Sequence, residues 1–275
     1  MTLEVQRRGM IRLISDLPAF GTPNTPLVEV EDGGKFYKAA YAAGGASYPP
    51  FANNVAFSAP LATAFTDVAK GRSFKTAGTA PTFAGGKMVL GGAGCVFYNT
   101  LQFDSNGEDM QLEDMPYTLE GWFSSSATTT NAIVVDTNTS NQGGYTVALN
   151  LNGTVGELAW LLNPGSGAVV TCTVLGITND GTRHHIAIVH VSPLLTYLFI
   201  DGVRVGQSTT TSSLLGKLTS NVFALGGRIS GGSFAAPGSF SLGLTGTLDN
   251  WRFTKGIALY PGINFTVPTP PFPTS

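Results

Sequence analysis

The chain has 275 residues and a formal net charge of −2, and Asp, Glu, Lys and Arg make up only 12 % of it, about half the usual share. Apolar residues reach 43 %, enough for a substantial core, while 35 glycines and 16 prolines point to many short turns rather than long helices. This balance excludes wholesale disorder, and no Lys/Arg block exceeds two residues, so no electrostatic footprint for nucleic acid is present.

No apolar run reaches the ~18 residues of a spanning helix, so no membrane contact is expected. The opening MTLEVQRRGMIRLISDLP lacks the apolar centre of a secretory signal. Cys95 and Cys172 are too few for a disulfide scaffold or a zinc site, and both read as small buried hydrophobes. The N-x-S/T triplets at Asn138, Asn152 and Asn264 read as chance in a Ser/Thr-rich chain.

Residues 1–50 differ in texture from the rest. Pro18, Pro23, Pro26, Pro49 and Pro50 fall here, and each biases itself and its predecessor toward extended geometry. The segment is expected to be an extended N-terminal arm with one or two short strands, docked on a neighbouring body.

A regular rhythm begins near residue 53, and the body is taken as 51–275. In YTLEGWF (117–123), Tyr117, Leu119, Gly121 and Phe123 alternate with Thr118, Glu120 and Trp122. YTVALNL and TVGELAWLL flank Asn152-Gly153, and TYLFI and VRVGQ flank Asp201-Gly202. Both dipeptides are strong signals for tight hairpins. HHIAIVHV (184–191) is another strand, LLGKL (214–218) fits one short helical turn, and GTLDNWRFT (246–254) closes the series. In that last strand, alternation places Leu248 on one face and Trp251 with Phe253 on the other. Strands recurring about every ten residues, with no long amphipathic helix, predict an all-β fold: an antiparallel two-sheet sandwich.

Five motifs stand in a recognisable order: TLEGWF (118–123), GTRHHIAIVH (181–190), TYLFIDGVRVG (196–206), LGG (225–227) and GTLDNWRFTKGIALY (246–260). The proline-rich NFTVPTPPFP (264–273) follows them. Together they resemble the laminin-G-like, concanavalin A-like jelly-roll domains of tailed-bacteriophage structural proteins. The resemblance covers residues 53–273. Two positions depart from the pattern: Arg183 stands where a tryptophan is usual, which would loosen an inter-sheet contact, and Asn250 stands where an acidic residue is common. Lys255-Gly256 is expected to turn the chain, with Tyr260 and Phe265 pinning the tail over a sheet edge that prolines then guard.

The resemblance implies a non-enzymatic virion structural protein, a capsid decoration or tail component assembled in the bacterial host cytoplasm. Its partners would be other virion proteins and copies of itself. The alternative is a carbohydrate-binding host-adhesion module that contacts a surface glycan.

No catalytic, cofactor-binding or metal residue is assigned, and no cofactor is expected. His184 and His190 lie about 20 Å apart on one strand face with His185 on the other, too far to share a zinc. Glu108, Asp109, Glu113 and Asp114 come in adjacent pairs that read as solvated loop charge rather than the paired carboxylates of a glycosidase. Related domains hold calcium at one rim, which makes Asp104, Asp136 and Asp201 rim candidates, with Asp201 already explained by its turn. Trp122, Trp160 and Trp251 lie within strand patterns and read as core rather than as exposed sugar platforms.

Overall fold

A computed structural model describes residues 55–99, 116–128, 132–137, 144–150, 153–163, 170–174, 179–192, 195–208, 222–232, 237–262 and 264–272, and the backbone of short strands at 11–13, 27–32 and 35–40. Those three strands pair antiparallel, where one or two were expected. The segments 100–115 and 209–221 lie outside the described residues, and with them Asp104, the acidic stretch at 108–114 and the helical turn expected at 214–218.

Two antiparallel sheets form the body. One has seven strands in the order Val170–Val174, Leu158–Asn163, Gly144–Leu149, Ala132–Asp136, Val222–Leu225, Gly94–Asn99 and Lys75–Gly78. The other runs Val203–Ser208, Leu195–Ile200, His184–Ser192, Tyr117–Ser124, Thr245–Lys255, Lys87–Gly91 and Thr82–Ala84, with Val55–Ala59 also paired to Thr245–Lys255. The inward side chains of both make one core, including Phe57, Leu119, Phe123, Val147, Trp160, Ile186, Phe223, Trp251 and Phe253. Each such side chain, fully buried, stabilises the fold by about 1.5–3 kcal/mol. No α-helix occurs among the described residues. The expected all-β sandwich is the observed one.

Three local expectations are corrected. Leu248, Trp251 and Phe253 all reach the same core, because the strand bulges. Glu120 pairs with Arg252 and Trp122 with Asp249, so Gly121 alone faces Asn250 and Trp251. Asn250 takes the extra residue's strained position at φ 48°, a left-handed geometry that asparagine tolerates better than most side chains. The bulge flips the alternation between Leu248 and Trp251.

The hairpin around Asn152-Gly153 is wider than a two-residue turn. Pairing ends at Leu149–Leu158. Asn150 closes the loop by accepting from Gly156 N–H (2.8 Å) and donating to Ala127 O (2.9 Å). By contrast, Ile200 and Val203 do pair across Asp201-Gly202, whose φ values of 50° and 77° give the tight turn expected.

The tail covers a sheet face rather than an edge. Ile257, Ala258, Leu259 and Tyr260 pack on Ala187, Val189 and Phe199, the outward residues of two adjacent strands. Leu259 N–H donates to Thr118 Oγ (2.9 Å), and Phe265 N–H donates to Gly202 O (2.9 Å). Alternation leaves an apolar stripe on this outer face that only an added layer can dry.

Candidate functional site

Beneath the tail lies a charged cluster where a sandwich normally meets water. Register places Glu120 opposite Arg252, and both are buried. Arg252 Nε donates to Glu120 Oε1 (3.0 Å) and its Nη2 joins the same oxygen. Tyr260 O–H donates to Glu120 Oε2 (2.8 Å), and His185 Nε2 lies 3.2 Å from that oxygen. Burial alone would raise the Glu120 carboxyl, but Arg252 and His185 outweigh it and hold the group at about 2. A carboxylate this committed and this dry is not an available general acid or base.

Trp122 stands beside this cluster on the same face. Its ring meets His185 edge-on (4.6 Å) and Phe272 face-on with a tilt (4.9 Å, 34°). Arg183 lies 4.8 Å over the Trp122 ring and forms a bidentate pair with the buried Asp249. Among the described residues, the arginine in place of a tryptophan meets Trp122 and Asp249 of its own sheet. It closes the outer face against Asp249, in correction of the expected looser packing.

The adjoining rim is open to water. The Asn179–Arg183 turn meets the Asp201-Gly202 hairpin through His184. His184 Nδ1 lies 2.7 Å from Asp201 Oδ2, and Nε2 lies 2.7 Å from Thr182 Oγ and 3.2 Å from Asp180 Oδ1. The Asp180 and Asp201 side chains are 50 % and 48 % exposed, so both still face solvent. Burial lowers the His184 affinity for a proton, but Asp201 and Asp180 outweigh it, and its pKa is raised. Hydrogen bonds from Thr182 lower that of Asp180, with a smaller share from His184. Beside the hairpin, Arg204 lies over Tyr197 (5.1 Å), and its N–H donates to the exposed Asn264 Oδ1 (3.0 Å). The rim thus presents carboxylates, a hydroxyl, an amide and guanidinium groups from two turns, a strand and the C-terminal segment.

Other sequence candidates have structural duties. His190 stacks on Tyr117 (4.8 Å, 13°) inside the core, where burial pushes its pKa down to about 4. Trp160 and Trp251 are wholly buried, Trp251 donating to Trp122 O (3.2 Å). Cys95 is buried, and desolvation, with a smaller contribution from Asp136, pushes its thiol up to about 12. Asp136 holds Arg228 through both carboxylate oxygens (3.0 and 3.1 Å). Asp201, explained at the sequence level by its turn alone, also accepts from His185 N–H (2.8 Å) and binds His184. Among the described residues no group of three or more His, Cys, Asp or Glu side chains could hold a metal ion.

The sequence reading missed Asp180, Thr182 and the Glu120–Arg252 pair. Asn-Asp-Gly-Thr at 179–182 is a turn signal, and Asp180 Oδ1 does accept from Thr182 N–H (2.7 Å). Nothing local marks Glu120 and Arg252 as partners.

A laminin G-like family profile, described as Concanavalin A-like lectin/glucanases superfamily, matches residues 98–255. No curated protein sequence matches the chain. Among solved structures, it is similar to domain 4 of AbnA, a GH43 extracellular arabinanase from Geobacillus stearothermophilus, in complex with arabinotriose. The TM-score is 0.55 at 16 % identity, over 76 % of this chain and 95 % of that one. It is also similar to the binding domain of botulinum neurotoxin serotype C1, with TM-score 0.57 at 10 % identity, over 77 % of this chain and 51 % of that one. The binding domain of botulinum neurotoxin DC in complex with rat synaptotagmin II gives TM-score 0.56 at 8 % identity, over 77 % and 50 %. The chain thus spans about half the length of the toxin domains. At these identities the likeness establishes the fold.

Proposed function

The chain belongs to the Concanavalin A-like lectin/glucanases superfamily, and we propose that it is a non-catalytic binding module that takes a glycan at the sandwich rim. The observation that carries this reading is the rim itself. Solvent-facing Asp180, Thr182, Asp201, Arg204 and Asn264 offer donors and acceptors from two turns, the strand that follows one of them and the C-terminal segment, the arrangement that hydroxyl recognition requires. Structural neighbours that include an arabinotriose-bound domain and toxin binding domains support a recognition role. The sealed state of Glu120 supports a module without catalysis. The surface glycan of a host cell fits this reading. A virion structural role, in capsid decoration or tail, rests on the motif order, the low charge and the expected N-terminal arm, and the superfamily match and the neighbours favour the binding module over it.

A broad glycan array followed by titration calorimetry tests the proposal. Binding to a defined glycan class is expected, weakened at least tenfold in D180N/T182A while the protein keeps its cooperative urea transition. Failure to bind any glycan, or release of sugar from a polysaccharide by the purified protein, overturns it.

A further inference from the structure

The outer face holds an arrangement that a simple covering layer does not require. Phe272, 4 % exposed, lies against the Trp122 ring (4.9 Å) and under the Arg252 guanidinium (4.2 Å). His185 stands edge-on to Phe272 (6.3 Å, 70°), its side chain fully buried and its Nδ1 without a hydrogen-bond partner among the described residues. A hydrocarbon ring therefore fills a slot between an indole and a guanidinium, beside an imidazole whose Nδ1 has no partner among the described residues. Phenylalanine satisfies the indole and the cation, but it can offer nothing to Nδ1, and a buried polar atom without a partner is costly.

We propose that this slot is a saccharide seat for one neutral pyranose ring, and that the C-terminal tail occupies it in cis as an intramolecular competitor. The proposal rests on the glycan-binding reading but concerns a place distinct from the open rim. A pyranose has a C–H face that lies on indole as a phenyl ring does, and edge hydroxyls that can donate to Nδ1 and accept from guanidinium. A neutral ring suits the slot because its charges are already balanced in pairs, Glu120 with Arg252 and Arg183 with Asp249. The tail can exchange because its anchors lie upstream of the plug. Tyr260 stacks on Phe265, and the tail's bonds to the body include Asn264 with Arg204 and Phe265 with Gly202, whereas Phe272 sits in the slot by ring contacts. Tethering gives the plug a high effective concentration. The apparent affinity of the native chain for sugar falls by the fraction of time the slot stands open.

The test is titration calorimetry of the full chain against maltohexaose, cellohexaose and mannohexaose, comparing wild type with F272A. At least one hexasaccharide is expected to bind F272A ten or more times more tightly, with the gain abolished in F272A/W122A and intact in F272A/D180N/T182A. F272L, which gives up the ring contacts to Trp122 and Arg252 and so competes less, is expected to bind the sugar more tightly than wild type should F272A lose its cooperative urea transition. Rim-dependent binding in the wild type with no gain in either variant overturns the seat and leaves the rim reading standing. A gain in F272A without any rim-dependent binding does the reverse, and no binding in any variant overturns both. Concentration-dependent dimers of the wild type, with no sugar gain on removing the plug, make the slot a tail-exchange interface and overturn the seat.

Discussion

Replacing Glu120 by alanine is expected to cost the protein a large part of its stability. The substitution leaves the Arg252 guanidinium, 4 % exposed, without its carboxylate, and strips Tyr260 O–H and His185 Nε2 of their acceptor. Breaking one side of a buried ion pair costs about 3–5 kcal/mol. The carboxyl itself gives a concordant figure: held at about 2 instead of 4.5, it corresponds to ~3 kcal/mol of linkage to protonation. Whole domains have only about 5–15 kcal/mol in hand. Urea titration at pH 7 should therefore show a lower midpoint at unchanged slope for E120A. The double variant E120M/R252M, which removes both charges, should recover most of the loss. The folded pKa lies below the unfolded one, so this stability is fully present above about pH 4.5 and drains as pH falls toward 2. E120Q should lack that part of the acid limb. A loss under about 1 kcal/mol in E120A, or an identical acid limb in E120Q, would refute the account of the cluster.

Gly121→Ala should be nearly as damaging as a cavity, since the added Cβ would stand 2.4 Å from Trp251 Cδ2; overpacking of about 1–3 kcal/mol or more is expected. A thermal scan showing less than about 2 °C of change would mean that the bulge can yield. For His184, the folded pKa is raised by Asp201 and Asp180 against the effect of burial. Its contribution is complete below the unfolded pKa and lost as pH rises through the folded one. NMR titration should find the His184 ring titrating above 6.5, and H184Q should flatten the decline of melting temperature on the alkaline side; a ring titrating below 6.5 contradicts the clasp.

Alternation and turn chemistry in the sequence already determined that the chain is an antiparallel sandwich, because period-two patterning and left-handed turn residues act over a few neighbouring positions. The Asp201-Gly202 hairpin and the inward set Tyr117, Leu119 and Phe123 are legible in this way. Where a local signal competes with a tertiary demand, the demand wins. Asn150 turns the chain two residues before Asn152-Gly153 because its side chain can reach both Gly156 and Ala127. The bulge at Asn250 exists because Trp251 needs the space over Gly121, a residue 130 positions upstream. The candidate site was the least legible part. By alternation Glu120, Trp122, His185 and Arg252 belong to a solvated face, and only the return of the tail across two strands buries them together. The rim clasp has the same origin: Asp180, His184 and Asp201 meet because the strands starting at His184 and ending at Ile200 are paired. Burial and charge pairing across such separations are properties of the assembled layers, so only the tertiary structure could decide them.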